Sequence, residues 1–147
     1  MTIYWPSDTK AIIDDIREAI GRTVTFYTVT LSGCPDCSLD PIANESTNSF
    51  CPTCSGLYWT PIYSGVDVCA HITWGQSDEM NWHSGGQMFE GDCRIQIEYT
   101  DANVTIVDTT DYVKVDGRKM DIRKTTPRGV KEINRLLLDL VERDKQV

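Results

Sequence analysis

Cys34-Pro35-Asp36-Cys37 and Cys51-Pro52-Thr53-Cys54 repeat one pattern, Cys-Pro-x-Cys, across thirteen intervening residues. Thiolates are soft donors, and two Cys-x-x-Cys turns can each give two corners of a tetrahedron to a divalent ion with little backbone strain. The pattern therefore predicts a tetrathiolate zinc site with Cys34, Cys37, Cys51 and Cys54 as ligands. The spacer is slightly below the ~15–20 residues usual between such pairs, but it allows a loop to leave and return. A redox dithiol or disulfides are the competing chemistry. A dithiol active site needs only one such motif, ordinarily beside a βαβ pattern that this sequence lacks. Four protein ligands leave no corner for water, so the expected metal is structural, not catalytic.

The stretch from 33 to 56 reads as a zinc ribbon inserted between strands. Its large apolar residues are mainly Leu39, Ile42 and Phe50, too few for a core, so metal must hold it. It contains no Lys or Arg, while Asp36, Asp40 and Glu45 are acidic. Four thiolates around a divalent ion add further negative charge, which repels phosphate. Protein is the expected partner, and a nucleic-acid-binding accessory role for the ribbon is the alternative.

The elements that must position the ribbon follow from periodicity. Residues 8 to 20 predict a helix, with Ile12, Ile13, Ile16 and Ile20 on one stripe, Ser7 as a start cap and Gly21 at the end. That stripe should pack on a sheet or on a neighbouring subunit. Residues 22 to 31 are rich in β-branched and aromatic types and predict a strand running into the ribbon. Val66, Val68, Ala70, Ile72 and Trp74 alternate with Asp67, Cys69, His71 and Thr73, a half-buried strand whose polar set faces outward. Cys69 and His71 could grip a metal or form a nucleophile and base, but an alternating polar position explains them more simply. Cys93 continues the series Ile95, Ile97 and Tyr99 and reads as a buried thiol.

Residues 75 to 86 predict a polar loop, with His83 beside Trp82, and 87 to 99 a strand broken at Gly91-Asp92. Val104 to Val107 and Tyr112 to Val115 predict short strands, and Asp116-Gly117 is a type I′ hairpin signal returning the chain into Arg118 to Arg123. In the tail, Ile133, Leu136, Leu137, Leu140 and Val141 fit a helix, whereas Leu136, Leu138 and Leu140 alternate as a strand would; periodicity leans towards helix.

With 147 residues, 40% hydrophobic and 24% charged, the chain has the composition of one ordinary globular domain. It opens with no basic segment followed by an apolar one, and no run approaches a membrane span, so a reducing cytosolic setting is expected, which favours metal over disulfides. The net charge of −8 is uneven. Residues 1 to 113 carry sixteen acidic and four basic side chains, and 114 to 147 carry six acidic and ten basic ones. Such polarity suits head-to-tail association, unless the fold blends the two segments. Gly-x-Ser-x-Gly, a phosphate loop and His-Glu-x-x-His are all absent from the sequence, so no catalytic role is expected.

The run from Asp111 to Leu140, DYVKVDGRKMDIRKTTPRGVKEINRLLLDL, resembles the C-terminal end of the head-to-tail connector proteins of tailed bacteriophages, the stopper or neck family. The opening helix ending in Gly21-Arg22-Thr23-Val24-Thr25 is similar to the start of those proteins. The ribbon departs from the minimal family pattern. The resemblance implies a mainly β fold, a small β-barrel or sandwich with an N-terminal α-helix, spanning 1-147 as a single connector domain with the insertion at 33-56. It further implies a virion structural protein that forms a homo-oligomeric ring at the head–tail neck. Such a ring is assembled in the host cytoplasm and joins the portal and adaptor to the tail. It continues the DNA channel without reading sequence. It also implies that residues 134 to 142 close the barrel as a strand, against the helical periodicity.

Overall fold

Side chains that alternate between interior and surface build most of the chain. The computed structural model describes residues 8–75, 82–83, 86–87, 93–129 and 132–143. In order the elements are α1 (Thr9–Ile20), β1 (Arg22–Gly33), β2 (Leu39–Asp40), β3 (Glu45–Ser46), β4 (Trp59–Trp74), β5 (Trp82–His83), β6 (Gly86–Gln87), β7 (Cys93–Glu98), α2 (Asp101–Thr109), β8 (Thr110–Val115), β9 (Arg118–Arg128) and β10 (Arg135–Glu142). Six strands close a barrel in the order β1-β4-β7-β10-β9-β8, and β2/β3 and β5/β6 form small two-stranded sheets. The fold is thus the expected one, mainly β, a small barrel preceded by a helix. Residues Thr28–Ser64 form a compact unit of their own that contains the 33–56 stretch.

Strict alternation fills the barrel interior from β7 and β10, and the other strands add fewer residues. Val24 and Phe26 come from β1, Ala70 from β4, and Cys93, Ile95 and Ile97 from β7; Val113, Val115, Met120, Leu136, Leu138 and Leu140 complete it. A six-stranded barrel is narrow enough for side chains alone to fill it. Strand β10 lies between β7 and β9, with Leu138 opposite Ile95 on one side and Thr125 on the other, and a register shift follows Asp139. Pairing on both edges decides the tail in favour of strand. Three leucines spaced by two meet the interior, whereas the helical stripe has no partner surface.

The hairpin signal is borne out. Asp116 and Gly117 both have positive φ, 48° and 81°, as a type I′ turn requires, and Val115 pairs with Arg118 across it. The strand expected at Val104 to Val107 is instead part of α2. Its β-branched run suggested a strand, but Thr100 caps the helix by accepting from the Asn103 amide at 3.1 Å, and Val107 is buried against the barrel core. Capping and packing override propensity here.

Helix α1 ends at Gly21 as expected. A side chain there would collide with the Arg17 carbonyl oxygen and the Cys69 Sγ, so the close approach to β4 requires glycine. Lys10 ties the helix to β7 through Glu98 at 2.8 Å. The N-cap position is Asp8, which makes no side-chain capping bond, and Ser7 lies outside the described residues. Most of the 75–86 loop and residues 88–92 also lie outside them, as does the side chain of His83.

Leu138 is fully buried at the centre of the barrel. Leu138→Ala should lower unfolding free energy by about 2–5 kcal/mol, read as a reduced denaturation midpoint with an unchanged urea m-value.

Candidate metal centre

Two short turns bring the four cysteines together. Leaving β1, the chain forms the Cys34–Cys37 turn, and the Cys34 amide donates to the Tyr58 carbonyl at 2.8 Å, which closes the base of the unit. The β2/β3 hairpin follows, Leu39 opposite Ser46 and Asp40 opposite Glu45. The second turn is fixed by the Ser55 amide on the Cys51 carbonyl at 2.8 Å and the Leu57 amide on the Cys54 carbonyl at 3.0 Å. Gly56, at φ 88°, takes a left-handed conformation against the Ser49 backbone, where a side chain would not fit.

The two turns are related residue for residue. Cys34 Sγ lies 3.8 Å from Cys51 Sγ, and Cys37 Sγ lies 3.6 Å from Cys54 Sγ. Thr53 donates to the Asp36 carboxylate, which joins the third positions of the two turns. All four sulfurs lie within 4.8 Å of one another. A tetrahedral ion with metal–sulfur bonds of about 2.3 Å needs sulfurs about 3.8 Å apart, so the donor set fits such an ion. None of the six cysteines is in a disulfide.

The surroundings of the sulfurs favour a charged cluster. The Asp36 amide points at Cys34 Sγ, and the Gly56 and Tyr58 amides point at Cys54 Sγ. Cys54 is disfavoured as a thiolate by burial, but the Tyr58 amide, the Cys37 thiol and the Gly56 amide bring it down to about 6. Cys37 receives a hydrogen bond from Ser46 that favours its thiolate, yet burial and the neighbouring sulfurs push it up to about 12. For Cys34 the Asp36 amide helps ionisation, and burial with Cys51 and Cys54 outweighs it. Without a cation, one thiolate suppresses ionisation of the others. Metal binding must therefore expel protons.

Sequence reasoning placed all four ligand candidates together, and the structure brings them together. It missed Ser46 beside Cys37 and Tyr58 packed on the cluster, because neither carries a spacing signal. Cys69 and His71 are not drawn into the cluster. Cys69 is exposed on β4, with its sulfur 3.8 Å from the Arg17 carbonyl, and Cys93 is buried in the barrel as expected. No described helix is long and apolar enough to cross a membrane.

Cys51→Ser should release the metal and disorder Thr28–Ser64 while the barrel keeps its strand signal in circular dichroism, since the two draw stability from different sources; loss of all strand signal would contradict this. Metal uptake by the wild type should release protons and weaken as pH falls from about 8 to about 6, measured by calorimetry in buffers of different ionisation enthalpy. No protein-family model matches the chain, and no curated protein matches it.

Proposed function

We propose that the chain is a structural protein of the bacteriophage head–tail neck, a ring-forming connector whose inserted ribbon is clipped by structural Zn²⁺ and touches a neighbouring protein. The observation that carries this reading is the closing strand β10 at Arg135–Glu142. The resemblance to the connector family required a strand there, and local periodicity argued for a helix. The helix-then-barrel order of α1 and the six strands supports the same reading.

Zinc is the ion of choice because it prefers four-coordinate tetrahedral sites and sulfur donors, and a closed tetrathiolate leaves it a purely structural role. The residues of consequence are Cys34, Cys37, Cys51 and Cys54. No catalytic residue is assigned. A protein contact for the ribbon is supported by its chemistry: residues 28 to 64 contain no Lys, Arg or His. Ile42 and Phe50 are 95% and 93% exposed. Local hydrogen bonds fix the backbone at both tips. Asp40 Oδ1 accepts from the Ile42 amide at 2.9 Å and Asn48 Oδ1 from the Phe50 amide at 3.1 Å, so each apolar residue is the third of an Asx-type turn.

The virion is the proposed location, and DNA is proposed to pass without sequence-specific contacts. Electron microscopy of the purified protein, alone and mixed with portal assemblies, should reveal closed rings, and elemental analysis should give one zinc per chain. Absence of rings under both conditions would refute the connector reading. Tight DNA binding that falls steeply with salt would favour the nucleic-acid accessory role instead.

A further inference from the structure

Helix α1 turns its apolar stripe the wrong way for a helix that packs only on its own barrel. Ile12, Ile16 and Ile20 are 44%, 52% and 57% exposed, whereas the side chain buried beneath the helix is Arg17, at 5%. A 12-residue helix is marginal in water unless its apolar face is covered. Beside that stripe is a cleft of about 270 Å³, lined by Ile13, Ile16, Arg17 and Ile20 of the helix together with His71, Gln96 and Arg135.

The cleft has more donors than acceptors. Arg17 Nη1 donates to Asp14 at 2.7 Å, but its Nε and Nη2 have no hydrogen-bond partner among the described residues, and neither does Nε of Arg135. Enclosed guanidinium groups without acceptors are costly, and negative charge brought close offsets that cost. The matching occupant is an acidic segment that also carries a large apolar side chain.

This chain contains such a segment. The Thr28–Ser64 unit bears Asp36, Asp40 and Glu45 with no cation, and it displays Ile42 and Phe50 almost fully exposed. We propose that the metal-held unit of one copy docks Phe50 and Ile42 against the α1 cleft of the next copy, with its carboxylates facing Arg17, His71 and Arg135. Charge complementarity selects a second copy as occupant. The contact is heterologous, joining two different surfaces, so repetition closes into a ring when the rotation permits. It rests on the ring-forming reading above and names the surfaces that make the ring.

The test uses two full-length, zinc-loaded variants, each damaged in one surface only. Phe50→Ser with Ile42→Ser removes the tips, and Ile16→Glu with Ile20→Glu spoils the cleft. All four positions are exposed, and unchanged circular dichroism and melting would verify folding. By native mass spectrometry and light scattering, the wild type should form assemblies larger than dimers that loosen as salt is raised. Each variant alone should self-associate about thirtyfold more weakly or worse, as loss of an anchoring side chain does. An equimolar mixture should give a dimer and nothing larger, because one intact tip and one intact cleft remain in each pair. Variants that assemble like the wild type, a mixture that stays monomeric, or a wild type that never self-associates would overturn the proposed contact. If either damaged protein still forms neck rings, the ring reading survives and only these surfaces are wrong. If the wild type forms no rings even with portal assemblies, the connector reading itself falls.

Discussion

The Thr28–Ser64 unit depends on the convergence of four sulfur atoms. Apart from Cys34, Cys51 and Cys54, the only side chain it buries is Ser46, so hydrophobic burial cannot order it. Backbone bonds such as Cys34 to Tyr58 and Ser46 to Gly56 close its loops, but each of these contributes only about 1 kcal/mol net. Ordering this unit against its chain entropy calls for a stronger interaction. Four sulfurs within 4.8 Å of one another could supply it by holding a metal ion, because coordination contributes directly to folding. The turns that display Ile42 and Phe50 hang from this framework.

The barrel obeys a different constraint. Its interior is closed by β10, which pairs on both sides and contributes Leu136, Leu138 and Leu140. The strands β1 and β4 belong to both systems. Val24, Phe26 and Ala70 face the barrel interior, whereas from residue 29 to 33 β1 is exposed. One pair of strands thus passes from a region held by apolar burial to a region held by sulfur.

Much of this was legible in the sequence, for identifiable physical reasons. The ligand set was readable because Cys-x-x-Cys spacing is imposed by coordination geometry rather than by context. The turn at Asp116-Gly117 was readable because positive φ restricts residue choice. Two elements were not readable from local pattern. Residues Val104 to Val107 have β-branched side chains, and the Thr100 cap with burial of Val107 makes them helical. Residues Arg135 to Glu142 fit two periods, and only pairing with β7 and β9, distant in sequence, chooses between them. The burial of Arg17 was also hidden. The Ile stripe of α1 suggested a face packed on something, but periodicity does not say whether the covering body is the same chain or another.

The Thr28–Ser64 unit has three carboxylates and no cation. With four thiolates around a dication, its formal charge becomes more negative by two. Without a cation, burial and neighbouring sulfurs disfavour the thiolates of Cys34 and Cys37, whereas that of Cys54 is favoured. Metal loading would therefore act on charge as well as on order. A bound dication would order the turns that carry Ile42 and Phe50 and add negative charge to that of the three carboxylates. Order and charge would thus arise together from four metal–sulfur bonds.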